Sequence, residues 1–134
     1  VLEVVSVAAH HAVADASGLD DEGVLDWCYR ANKALAASRV YRALTSLASP
    51  PLLLQGARLS WSTIHRGVEL AVTFDASSAE ITLRHPRNLW TPLVHRSTAT
   101  GFCAVLEASR GVDVEVKVAD TSPTHAVYAC TWKS

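Results

Sequence analysis

The chain has 134 residues, 12 Lys and Arg against 13 Asp and Glu, a net charge of −1, and 49% apolar against 19% charged residues. That balance excludes a disordered tail, a collagen-like or coiled-coil rod and a strongly basic nucleic-acid module, and describes one globular domain over 1–134. A chain this long buries roughly two-thirds of its unfolded surface, enough core to dispense with metal or disulfide staples.

There is no methionine, even at position 1, which reads as a piece cut from a longer chain. The opening run VLEVVSVAAHHAV has no basic segment and no cleavage site, so it is not read as a signal peptide, and it is too short to span a bilayer. Cys28, Cys103 and Cys130 are odd in number, far apart and without a C-x-x-C. That is the pattern of buried thiols in a reducing, cytoplasmic setting.

In chain order, residues 1–15 suit a helix that Gly18 stops. Asp20 or Asp21 is an N-cap, with Glu22 and Asp26 near the positive end of a helix over 21–37, whose apolar stripe is Val24, Leu25, Cys28, Ala31 and Leu35. Val40, Tyr41, Leu44 and Leu47 continue the period to about 48. Ser49-Pro50-Pro51 is a cap-then-proline start for a helix over 50–66, with Leu53, Ala57, Trp61 and Ile64 on one side, His65 and Arg66 in the last turn and Gly67 at the left-handed exit.

The period then changes to two. Val68, Leu70, Val72 and Phe74, the turn Asp75-Ala76-Ser77-Ser78, and Ala79, Ile81 and Leu83 spell a hairpin with one wet face. Thr91-Pro92 opens a helix over 92–109, poor in charge, with Gly101 mid-way to admit a close neighbour. Val112, Val114, Val116 and Val118, a turn over Asp120–Pro123, and Ala126, Tyr128, Cys130 and Trp132 form a second hairpin. The fold class is therefore α+β: N-terminal helices (about 1–66), then hairpin-helix-hairpin (about 67–133) forming an antiparallel sheet.

Catalytic signatures are missing. There is no G-x-S-x-G elbow, no catalytic-cysteine motif and no phosphate loop. Tyr29 and Lys33 have the Y-x-x-x-K spacing of short-chain dehydrogenases without the glycine-rich loop that would give it meaning. No two histidines share the i, i+4 face of a zinc helix, and His10 and His11 point about 100° apart. No metal and no cofactor is expected. His65 and His95 are the least poor candidates for a haem axial ligand. The short basic stretch Arg84-His85-Pro86-Arg87 does not make a nucleic-acid footprint at near-zero net charge.

The stretch from Thr100 to Trp132 carries a resemblance. Its residues are the small-plus-aromatic Gly101-Phe102, the Leu106-Glu107 helix end, the strand VDVEV and the closing A-x-Y-x-C-x-W; upstream, Arg66-Gly67 followed by VELAV fits the same plan. Over about 38–132 the chain resembles a myxobacterial family of uncharacterised proteins, itself similar to the four-vinyl-reductase (V4R) sensor domain and, more distantly, to haem–nitric-oxide-binding domains and transport-particle (TRAPP) subunits. Two departures matter. Cys130 stands without the cysteine partner of a V4R zinc site, and the Y-x-S-x-R motif of haem–nitric-oxide domains is absent. The resemblance thus implies a scaffold for small-molecule sensing or protein pairing without those cofactors.

The expected function is a non-enzymatic sensory or small-molecule-binding regulatory domain with an apolar pocket. Its lining is drawn from Trp61, Trp90 and Phe102, with His65 and His95 as polar contacts. The alternatives are a homodimerising interaction or adaptor module, the effector-sensing domain of an arabinose-regulator-type transcription factor and, last, an enzyme. Neither nucleic acid nor membrane insertion is expected.

Overall fold

The computed structural model describes residues 2–133; Val1, Ser134 and the Leu44 side chain lie outside the described residues. Five helices and four strands follow in the order α1 (Glu3–Ser17), α2 (Asp21–Ala36), α3 (Arg39–Thr45), α4 (Pro50–Ile64), β1 (Glu69–Phe74), β2 (Ser78–Arg84), α5 (Pro92–Ala108), β3 (Val112–Ser122) and β4 (His125–Lys133). Among the described residues no helix is long and apolar enough to cross a membrane.

Local chemistry sets most boundaries. Gly18, at φ +64°, ends α1, and the Asp20 carboxylate accepts from the Gly23 amide at 2.9 Å to open α2. The Thr91 hydroxyl caps α5 by accepting from the Val94 amide, whereas Ser49 caps α4 with no side-chain bond. The helix expected over 50–66 stops at Ile64. His65 is its extended C-cap, and Arg66 lies beyond it, where its carbonyl accepts from the Glu3 N–H at 3.2 Å.

The sheet order is β1-β2-β4-β3, antiparallel throughout. The two hairpins join through β2 and β4, with Leu83 opposite both Leu70 and Ala126. One face is apolar: Val72, Ala79, Ile81, Leu83, Ala126, Tyr128, Cys130 and Trp132 are all buried. The β3–β4 hairpin is longer than its alternation suggested, reaching Ser122, so the turn is shorter than Asp120–Pro123. Val112 departs from the valine series. Asp113 takes φ +51°, a register shift follows before Glu115, and Val112 is left exposed.

Helix α5 crosses the apolar face, α2 backs α5 through a second cluster of Val24, Leu25, Cys28 and Leu93, and α4 covers β1. The Y-x-x-x-K pair has a structural use here. Tyr29 Oη and Lys33 Nζ, one turn apart, both donate to Glu107 Oε2 at 2.7 Å and clamp α2 to α5. That bond, with burial second, pushes the Tyr29 phenol up to about 12. Burial raises the Glu107 carboxyl, and the Lys33 and Tyr29 bonds lower it by more, leaving it below the ordinary carboxylate range.

Gly101 was expected to admit a close neighbour, yet a Cβ there would meet only Asn32, 3.7 Å away, and one at Gly56 would meet nothing within 4 Å. Both lie inside helices, so Gly56→Ala and Gly101→Ala should each stabilise by about 0.5–1 kcal/mol, read as a higher urea midpoint at unchanged slope. A loss of stability at Gly101 would mean that the position is tight after all.

Candidate functional site

A cavity of about 350 Å³ opens between α1, α4, α5 and the β1–β2 end of the sheet. Its wall is mainly apolar, with Leu54 and Trp61 from α4, Ile81 and Leu83 from β2, and Phe102 and Val105 from α5. The Trp61 indole donates to the Val68 carbonyl at 3.0 Å, which fixes the ring, and His65 stacks on it at 3.9 Å with 11° between planes. Phe102 meets Tyr128 edge-on at 5.4 Å.

The structure brings Trp61, His65, Trp90 and Phe102 to this cavity, while His95 is not among the residues lining it. Because α5 turns 100° per residue, Val94, Ser97, Thr98 and Gly101 face the hollow and His95 faces the loop before the helix. There it is buried against His85 and Trp90, with ring centroids 5.6 Å from each. In this cluster His85 Nδ1 donates to the Pro86 carbonyl at 3.0 Å, while His85 Nε2, Trp90 Nε1 and His95 Nδ1 find no partner among the described residues. Burial first, and the neighbouring His85 second, hold the His95 imidazole below its ordinary value.

Sequence reasoning missed the polar part of the wall: Glu3, Ser6 and His10 from α1, Asn32 from α2, and Ser97 and Thr98 from α5. Glu3 is the most informative of them. It is 7% exposed, and its closest ion-pair contact is His65 Nδ1, 3.4 Å from Oε2. A signal was available, since Glu3 is the one charged residue in the apolar opening VLEVVSV. Arg66 and Arg84 line a more open neighbouring cleft with Glu69 and His85, and among the described residues neither Lys nor Arg lines the cavity.

Cys103 and Cys130 are unsuited to nucleophilic work. Burial, then Glu107, pushes the Cys103 thiol up to about 11, and burial pushes Cys130 up to about 12. Among the described residues no group of three His, Cys, Asp or Glu side chains gathers as metal ligands would.

Two solved structures share this arrangement of elements. They are the Fe(II) unliganded H-NOX protein of K. algicida (TM-score 0.57) and a single-substitution mutant of it (TM-score 0.56), each 9% identical and matched over 93% of this chain and 70% of theirs. The chain is similar in fold to H-NOX proteins. This supports the haem–nitric-oxide limb of the resemblance at the level of the fold, although no family model and no curated protein matches the sequence. The residues present do not fit a haem. The face of α5 that lines the cavity offers neither imidazole nor thiolate, and the porphyrin's two carboxylates would meet a wall whose charged group is the acidic Glu3. Of the two imidazoles in the lining, His65 is stacked on Trp61 and set against Glu3, and His10 is tied through Nδ1 to the Ser6 carbonyl on the same α1 wall as Glu3.

Proposed function

We propose that the domain is a non-enzymatic sensory module that binds a small, largely apolar molecule in the α1–α4–α5–sheet cavity. The observation that carries this reading is the cavity itself. At about 350 Å³, apolar with a few polar groups, it has the size and lining of a small-molecule pocket. The H-NOX likeness supports a ligand-binding scaffold by analogy of fold alone. Trp61, Trp90 and Phe102 would line the ligand, with His65 as a polar contact, and α1 closes the site. A ligand would bridge α1 and α4 to α5, so occupancy can be passed on through the position of α1.

Hexan-1-ol should shift the emission of Trp61 and Trp90 and raise the thermal midpoint in a saturable way. Ala57→Phe, which places a ring into the hollow from α4, should abolish both responses while the protein stays folded by circular dichroism. Unchanged spectra across hexan-1-ol, cyclohexanol and toluene would overturn the reading.

A homodimerising module is the second reading. It draws on the strongly exposed Val40 and Leu47 near α3 and Leu52 and Leu59 on α4. Light scattering at high protein concentration decides it, since a strict monomer removes it.

A further inference from the structure

We infer that the cavity selects an organic cation: a small amphipathic amine whose ammonium group meets Glu3 and whose apolar body lies along Leu54, Trp61 and Phe102. This rests on the cavity being the ligand site, and it adds the charge and polarity of the ligand.

The donors on the polar wall are largely spent on the backbone. The Thr98 hydroxyl donates to the Val94 carbonyl at 2.9 Å, Asn32 Nδ2 donates to the Cys28 carbonyl at 2.8 Å, and His10 Nδ1 donates to the Ser6 carbonyl at 2.8 Å. What these groups retain is mostly acceptor capacity, in the Thr98 lone pairs and Asn32 Oδ1. The Ser6 and Ser97 hydroxyls can serve either way.

To these acceptors Glu3 adds a carboxylate. Buried charges are normally paired at close range, and charge-assisted N–H···O bonds run about 2.7–2.9 Å. The His65 contact at 3.4 Å is longer than that, so the Glu3 carboxylate lacks a tight partner. With no Lys or Arg in the lining, an incoming ammonium supplies both the missing charge and the missing donors. An anionic ligand would meet the Glu3 carboxylate with no Lys or Arg to offset it, and would find only neutral donors such as the Ser6 and Ser97 hydroxyls and Trp90 Nε1.

The test compares hexylamine, hexan-1-ol and hexanoate, which share one chain and differ in head group, by calorimetric titration at pH 7.5. Hexylamine should bind at least about tenfold more tightly than hexan-1-ol, the scale of a charge-assisted bond, and hexanoate should be weakest. Glu3→Gln should bring the amine down to the level of the alcohol, weakening the amine far more than the alcohol. Thr98→Val should weaken the amine several-fold without reversing the order. Hexanoate binding as tightly as hexylamine, or a preference that survives Glu3→Gln, would overturn the inference and leave the cavity reading standing. If none of the three binds, both fall. Should Glu3→Gln fail to unfold cooperatively, the ranking in the unsubstituted protein and in Thr98→Val decides.

Discussion

Leu83→Ala should cost about 3 kcal/mol of stability, within the 2–5 kcal/mol typical of truncated core leucines, and lower the melting temperature by roughly 10 °C. Leu83 is fully buried on β2, one of the two central strands, opposite Leu70 on β1 and Ala126 on β4. Truncation therefore loses contacts to both neighbouring strands. It also opens onto a hollow that already exists, because Leu83 lines the cavity, so the surroundings cannot collapse to recover packing. The matched control is Leu59→Ala on α4. Leu59 is 75% exposed, and surface changes of this kind stay within about 0.5 kcal/mol. Equal midpoints for the two variants in chemical denaturation would mean that the β2–β4 junction is not the centre of the core. A Leu83→Ala protein that binds larger apolar alcohols than the parent would locate the lost volume in the ligand site.

The sequence made this core legible because the half-buried sheet imposes a period of two. Ala79, Ile81 and Leu83, and likewise Ala126, Tyr128, Cys130 and Trp132, alternate without interruption and are all buried. Strand order was not legible: alternation says which face is inward and nothing about which edge pairs with which, so the β2–β4 contact joining the hairpins had no local signature. Val112 continued the valine series and came out exposed because a backbone reversal at Asp113, with φ +51°, shifts the register; nothing in the identity of Val112 encodes that. The site was half legible. Helix periodicity put Trp61 and Phe102 on inward faces, and the same logic, applied to His95 one residue from Val94, shows why it leaves the cavity. Glu3, Ser6 and His10 were missed because α1 read only as an apolar helix, and only tertiary contact turns it into a wall.

His95 supplies the second large effect, through acid. Its imidazole is 7% exposed, with Nδ1 unpartnered beside His85 and Trp90, and burial, then His85, lower its pKa in the fold. The unfolded chain takes up this proton near pH 6.5. Below that pH the unfolded state binds a proton that the folded state refuses, so stability falls as pH drops from about 6.5 toward the lower folded value. Phe at this position keeps a ring against Trp90 and removes both the titration and the unpartnered nitrogen. A buried polar atom without a partner costs about 1–3 kcal/mol. His95→Phe should therefore be more stable by about 1 kcal/mol at pH 7.5, and its advantage should widen as pH falls to 5. Urea unfolding of both proteins at each pH measures the gap, and taking the difference cancels the histidines outside the cluster. A gap that narrows on acidification would mean that His95 gains a proton in the fold and finds an acceptor for it, for which the unpartnered His85 Nε2 is the nearest candidate in the cluster. Because His95 lies off the cavity wall while its neighbour Trp90 lines it, hexan-1-ol affinity should change little in His95→Phe at pH 7.5. The acid response belongs to the cluster and ligand binding to the hollow, and Trp90 is the side chain that touches both.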